Sequence, residues 1–376
     1  MMIMVKVGIL SMQRIANYGS FLQAYGLKHI LEDLGCDVQF VDYHPGETLI
    51  PADGGTGLKR KIAKITEALR YNAPLREKIK YIKYKKNYAK NYYPYLGLSS
   101  EMNYSPELDM LVIGSDEVFN CVQNNTNVGF SPELFGQDNR AKRVITYAAS
   151  FGNTTVEKLK KYQVADKISK WIGEIDAVSV RDENSLSTVK ALTGEKPQHH
   201  LDPVLAYDFM GKCTDIPETV PDSNYMILYG YSGRFTKEEC KIIRAYAKKK
   251  GLKIVCIGGV QDACDKFIDC NPFEVIAYFK NADCVVTDTF HGTIMSVITH
   301  RQFVSVVRKS GYGNSEKMTD LLGRLHLSDR ILTDFRMLKN QIENKIDYLK
   351  TDDLIKEERK NSINYLNLEV EKCTQN

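Results

Sequence analysis

Hydrophobic positions in this chain fall into two alternating patterns. Apolar runs of four or five residues, rich in β-branched side chains, read as buried strands. Stretches with apolar residues three and four apart read as amphipathic helices. Strands are predicted at 6–10, 38–41, 110–113, 143–148, 177–180, 225–229, 253–257, 284–287 and 303–307. Helices are predicted at 21–34, 156–173, 237–250, 272–279, 293–299 and 317–325, with a charged helical tail over about 334–371. The first helix carries Leu27, Ile30, Leu31 and Leu34 on one face, and Gly35 stands where a C-terminal cap belongs. Strands that alternate with helices imply βαβ units and parallel sheets.

The pattern passes through this alternation twice. It predicts an α/β protein with two Rossmann-like units: residues 1–205, with a helical insertion at about 56–95, then residues 220–330, with a helical tail over 334–376. Leu201-Asp202-Pro203-Val204-Leu205 reads as the exit from the first unit, because Pro203 breaks regular structure. A length of 376 residues suits two cores.

Composition narrows the class without naming a function. A formal net charge of +4 excludes nucleic-acid binding by bulk charge, and no DNA or RNA module is present. Nine scattered cysteines with no C-x-x-C pair fit a reducing compartment and argue against a metal site or a disulfide framework. No apolar run reaches 18 residues, and the start lacks the layout of a signal peptide. The expectation is a cytoplasmic protein without a cofactor.

Candidate chemistry collects where predicted strands end, because open α/β sheets bind ligands beyond their carboxyl ends. The sharpest stretch is 281–307. A buried strand gives way to the polar turn Asp288-Thr289-Phe290-His291-Gly292, then to a short helix. Histidine as a residue type can act as acid or base near neutral pH, and His291 lies by a helix N-terminus that favours anions. A histidine in such a turn is either structural or an acid/base group. Gly292 permits close approach of a ligand. The loop at 11–20, ending Asn17-Tyr18-Gly19-Ser20, is either a tight connection or a ligand contact, and it is not a dinucleotide fingerprint. Gly114-Ser115-Asp116-Glu117 and Ala149-Ser150-Phe151-Gly152 sit at two further strand ends. Arg181, after the next strand, could bind a carboxylate or phosphate, or form a surface ion pair with Asp182 or Glu183.

Residues 56–95 differ in character. Twelve Lys or Arg face two acids, and seven tyrosines are interleaved. The segment reads as a solvated helical face or as a docking surface for an anionic glycan, a lipid-linked acceptor or a membrane.

Several of these motifs, taken in order, resemble the polysaccharide pyruvyl transferase family. They are Asn17-Tyr18-Gly19-Ser20 with Leu22-Gln23-Ala24-Tyr25, Gly114-Ser115-Asp116, and Tyr147-Ala148-Ala149-Ser150-Phe151-Gly152. Val180-Arg181-Asp182 with Ser185, Asp202-Pro203-Val204, and Thr287-Asp288 with Phe290-His291-Gly292-Thr293 complete the set. The resemblance implies two Rossmann-like domains facing a cleft, similar to the GT-B glycosyltransferase fold. It implies transfer of pyruvate from phosphoenolpyruvate to two hydroxyls of a glycan sugar or its lipid-linked precursor. His291 and Asp116 are then the catalytic candidates, as acid or phosphate contact and as base. Arg181, Asn17, Gly19, Ser115, Ser150, Thr289, Gly292 and Thr293 are expected at the substrate. The family pattern resembles Arg-x-His where this chain has Thr289-Phe290-His291. Arg308, Lys309 or Lys317 is expected to replace that charge, with Lys317 first, on a loop that closes over the donor. A glycosyltransferase using a nucleotide sugar, with Asp265 or Asp269 at the ribose, and a non-catalytic binding relative are the alternatives. Peripheral membrane contact through the basic segment, at the inner face, is a further expectation.

Overall fold

The computed structural model describes residues 4–50, 72–308 and 315–375. The predicted α/β alternation is present. In the first lobe the elements are β1 (Lys6–Leu10), α1 (Tyr18–Asp33), β2 (Asp37–Phe40), α2 (Leu75–Tyr92), β3 (Glu107–Ile113) and β4 (Arg140–Thr146). They are followed by α3 (Val156–Lys161), α4 (Ala165–Gly173), β5 (Ser179–Val180), α5 (Glu183–Thr193), β6 (Gln198–His199), α6 (Pro203–Ala206) and α7 (Phe209–Lys212). A parallel sheet of order β2-β1-β3-β4 is continued by the β5–β6 pair through bridges from Ile145 to Ala177 and from Ala149 to Val180.

The second lobe contains β7 (Tyr225–Tyr229), α8 (Lys237–Lys250), β8 (Lys253–Ile257), β9 (Lys266–Phe267), α9 (Pro272–Asn281) and β10 (Cys284–Thr287). Next come α10 (Phe290–Ile298), β11 (Phe303–Val306), α11 (Ser315–Arg324), β12 (Ile331–Leu332), α12 (Leu338–Glu343) and α13 (Leu349–Thr374). Its sheet runs β12-β11-β10-β7-β8-β9, every pair parallel. Every residue of β7 and β10 is buried, as expected of strands covered on both faces. Helix ends follow their sequence signals. Thr236 and Glu239 form a capping box at the start of α8, and Gly251 ends it in the left-handed region at φ +69°.

Three readings change. The predicted helix over 156–173 is two helices, separated where Gln163 adopts φ +56°. Pro203 begins a short helix rather than ending structure, because proline suits the first helical position and Asp202 caps it. The tyrosines of the basic segment are mainly core. Tyr84, Tyr88 and Tyr92, four residues apart, are buried on one face of α2 against Tyr18. Tyr81 and Tyr84 pack on Phe267 of β9, and buried Glu77 accepts from Phe267 N–H. Helix α2 therefore ties the first lobe's chain to the edge of the second sheet. Helix α13 returns to the first lobe: the Tyr365 hydroxyl donates to the Thr146 carbonyl at 2.9 Å, and Glu369 pairs with Arg143 at 2.5 Å. The predicted segment 56–71 and Lys309 lie outside the described residues.

Candidate active site

Each sheet reverses its winding once. In the first lobe this falls between β1 and β3, and in the second between β7 and β10. Such switch points leave a crevice at the carboxyl ends of the strands. Here the two crevices face one another across a cleft of about 290 Å³. Asn17, Asp116, Arg181, Thr289, His291 and Lys317 all line it, so six residues singled out from sequence meet in one place.

The first lobe supplies carboxylates around a guanidinium. Arg181 is buried, with one terminal nitrogen 2.5 Å from Asp202 and the other 3.0 Å from Asp116. Its partners are thus neither Asp182, which caps α5, nor Glu183. Asp116 also accepts from the Ser20 hydroxyl at 2.8 Å, and it holds φ +73°, a strained conformation for a residue with a side chain. Burial alone would raise the Asp116 carboxyl. Arg181, His291 and Lys317 outweigh it and hold the group below the usual carboxylate range. Asp202 behaves alike: burial opposes ionisation, but the charges of His291 and Arg181 drive its carboxyl well below the ordinary value. Burial lowers the Arg181 guanidinium less than Asp202 and Asp116 raise it.

The second lobe supplies the imidazole. Thr289 caps α10 through a 3.0 Å bond from Gly292 N–H, so the helix starts three residues earlier than its apolar spacing suggests. His291 therefore lies in the first helical turn, not in a solvent-facing turn, and its side chain is only 11% exposed. Its Nε2 stands 3.6 Å from the Asp202 carboxylate, a charge contact rather than a hydrogen bond, and it has no hydrogen-bond partner. The ring is seated against Gly19, where any Cβ would overlap it. Phe290 packs under the Arg181 guanidinium at 4.7 Å. Asn17 completes the crossing, donating to the Tyr231 hydroxyl at 2.5 Å.

Lys317 reaches the cleft from α11, where it is buried and paired with Glu117. Glu117 also accepts from Asn120 at 2.6 Å, and Lys317 holds its carboxyl below the usual value against the effect of burial. Lys317 thus lines the cleft from a helix, and residues 309–314 of the expected closing loop lie outside the described residues. Replacing Lys317 would strip Glu117 of its cation. Arg308 is committed elsewhere: it pairs with Glu239 at 2.6 Å and donates to the Arg234 carbonyl.

Other expected contacts are scaffolding. Ser115 donates to the Ala148 carbonyl, Ser150 to Asp182 at 2.5 Å, and the Thr293 hydroxyl lies 2.6 Å from that of Ser305. All three are buried. A Cβ on Gly292 would strike Thr287 and Thr289. Thr289 is both cleft wall and helix cap. Asp265 pairs with Arg244 and Asp269 accepts from Tyr92, so neither is a cleft residue. Glu117, Asn120, Gln123, Asn124, Asn125 and Tyr231 line the cleft and Asp202 faces His291, yet the sequence reading did not place them at the site. Asp202 and Glu117 stood inside the quoted motifs; nothing in the sequence singles out Tyr231.

The profile of the polysaccharide pyruvyl transferase family matches residues 17–310, a span that holds every one of these lining groups except Lys317 and the loop residues before Asn17. The chain belongs to the polysaccharide pyruvyl transferase family. Family membership implies a small donor and a glycan acceptor. No curated protein is significantly similar in sequence. Among solved structures, the glycotransferase of kitacinnamycin superposes with a TM-score of 0.51 at 9% identity, over 99% of each chain. Arabidopsis thaliana UGT89C1, complexed with UDP-L-rhamnose, gives 0.50 at 10% identity, over 98% of this chain and all of the other. An O-GlcNAc transferase of Thermobaculum terrenum gives 0.40 at 10% identity, and the chain spans 64% of its length. At 9–10% identity the likeness to the first two speaks for the fold alone: two Rossmann-like domains in the GT-B arrangement.

Proposed function

We propose that this family member transfers pyruvate from phosphoenolpyruvate to two hydroxyls of a cell-surface glycan or its lipid-linked precursor, forming a ketal. The observation that carries the reading is the His291–Asp202 contact across the cleft, with an unpartnered imidazole nitrogen facing a carboxylate held ionised. Such a pair can hold and deliver one proton.

The donor's methylene carbon must gain a proton, which leaves cationic character on the adjacent carbon. His291 is assigned that proton. The first acceptor hydroxyl then attacks and loses its proton, the bond to phosphate breaks, and inorganic phosphate leaves. The second hydroxyl closes the ketal and gives its proton back to His291, while the proton taken from the first hydroxyl leaves with the phosphate. Asp116 is assigned the hydroxyl proton. A carboxylate with a depressed pKa is a weak base, but a hydroxyl bonding to a cationic carbon has become a strong acid. Lys317 and Arg181 are assigned to the donor's anionic groups, with Lys317 exchanging Glu117 for phosphate. The carboxamides of Asn17, Asn120, Gln123, Asn124 and Asn125 line the same cleft and suit sugar hydroxyls, since each offers both donors and an acceptor.

A thermal-shift and calorimetric screen against phosphoenolpyruvate and UDP-sugars tests the donor. Phosphoenolpyruvate should bind and raise the melting temperature, and turnover with a glycan should release inorganic phosphate. Binding of a nucleotide sugar with none of phosphoenolpyruvate would overturn the proposal in favour of glycosyl transfer.

A further inference from the structure

Helix α2 departs from the ordinary division of an amphipathic helix. Its inner face is closed by buried Tyr84, Tyr88 and Tyr92. Its outer face should be wholly polar. Instead Leu75, Ile79 and Ile82 stand there 63%, 46% and 43% exposed. Spacings of four and three set them in one line along the helix. Arg76, Lys83, Lys86 and Lys90 are exposed around the same face, and none of these four forms an ion pair among the described residues. At 100° per residue, Lys86 falls between Leu75 and Ile79, while the other three lie along one flank. Lys85 sits toward the opposite flank, where it lines the cleft and donates to the Ala16 carbonyl. The mouth of the active site thus opens beside this helix.

We propose that the outer face of α2 docks on the surface of an anionic phospholipid bilayer. The aliphatic line enters the boundary between headgroups and acyl chains, and the four cations meet lipid phosphates. Charge selects this occupant. A second copy of the chain, packed symmetrically, would bring the same cations against one another. A purely polyanionic ligand leaves the aliphatic line unused. Docking requires no spanning segment, and among the described residues no helix is long and apolar enough to cross a membrane. The inference is independent of the donor's identity. It touches the proposed function only in holding the cleft mouth where a lipid-linked sugar would be presented.

Cosedimentation of the full chain with vesicles decides the matter. Vesicles containing phosphatidylglycerol should pellet the protein, vesicles of phosphatidylcholine alone should not, and added salt should weaken binding. The pair Lys83→Glu/Lys86→Glu should lower partitioning about tenfold or more. Ile79→Ser/Ile82→Ser should lower it severalfold at unchanged charge. Both pairs should melt like the parent and bind donor normally, because these side chains are exposed. Failure to bind phosphatidylglycerol vesicles would overturn the proposal, as would equal binding by parent and both variants. A dimer seen by ultracentrifugation, lost in Ile79→Ser/Ile82→Ser and unaccompanied by vesicle binding, would assign the face to a second copy instead.

Discussion

The loops leaving β3 and β10 occupy matching places in their sheets, each at a carboxyl end beside a switch point, yet they present opposite chemistry. The first offers Asp116 and Glu117, both held ionised by cations across the cleft or beside it. The second offers a helix N-terminus and His291, and turns its own carboxylate away: Asp288 is buried against Arg234 at 2.8 Å, where burial raises it above the usual range despite that partner. Neither loop is a site alone. An acidic half and a basic half were built on two copies of one architecture, so chemistry depends on how the lobes meet.

Removing the imidazole should break this arrangement most severely. His291→Gln should cut turnover about 10²- to 10⁴-fold, while circular dichroism stays near that of the parent and melting falls modestly as buried Asp202 loses a facing charge. A loss below fivefold would take His291 out of the proton transfer.

On the acidic side, Arg181→Met leaves Asp202 and Asp116 buried without their guanidinium. Urea titration should show a loss of about 3–5 kcal/mol. Adding Asp202→Asn should recover part of that loss, and no recovery would mean the cost lies in packing against Phe290.

Acid should also separate the two lobes. Burial and the neighbouring His199 and Arg324 depress His200 from 6.5 to about 4. Its folded value lies below its unfolded one. The contribution is therefore full above pH 6.5 and is lost as pH falls toward 4, on the order of 3 kcal/mol in all. Asp116, Glu117 and Asp202 are likewise depressed and withdraw their stabilisation at still lower pH. All four belong to the first lobe. Hydrogen exchange at pH 4.5 should open that lobe before the second, and uniform opening would contradict the asymmetry.

Lys317→Met should cost about 1–2 kcal/mol, because its partner Glu117 keeps a third of its side chain exposed and is partly screened. Phosphoenolpyruvate affinity should fall with it; unaltered affinity would return Lys317 to a structural pair. Gly19→Ala tests the seat of the ring. The new methyl would overlap the His291 ring from the opposite lobe and must push it aside. Stability should fall by about 1–3 kcal/mol and turnover should drop at least roughly tenfold through displacement of His291. If turnover and melting are both unaltered, the ring has room to retreat.

Much of this framework was readable from the chain. Strands such as Cys284–Thr287 and Tyr225–Tyr229 are contiguous apolar runs because parallel strands are covered on both faces. The helix at Lys237–Lys250 carries its stop in Gly251. His291, Asp116 and Arg181 were found because they close strand ends. What stayed hidden depends on distance. The partner of Arg181 lies 21 residues away in Asp202, and only the β5–β6 pairing brings them together. Local sequence pointed to adjacent Asp182 instead, which is occupied as a helix cap. The tyrosines of α2 were legible in part: their spacing of four marks one helix face, and the surrounding lysines disguised it.

The return of α13 has a consequence for biogenesis. Tyr365 and Glu369 seal the back of β4, and the Tyr365 ring also lies tilted against His200, with centroids 4.6 Å apart. The lobe synthesised earlier is thus covered by a helix that follows the second sheet in the chain. While the ribosome is making the second sheet, the first still lacks a wall and remains a client for chaperones. The carboxylates and guanidinium of the site reach their final setting only once α13 has emerged. Ribosome-bound chains halted near residue 345 should be protease-sensitive across β4–β6, and protection at that stage would show the first lobe closing without α13.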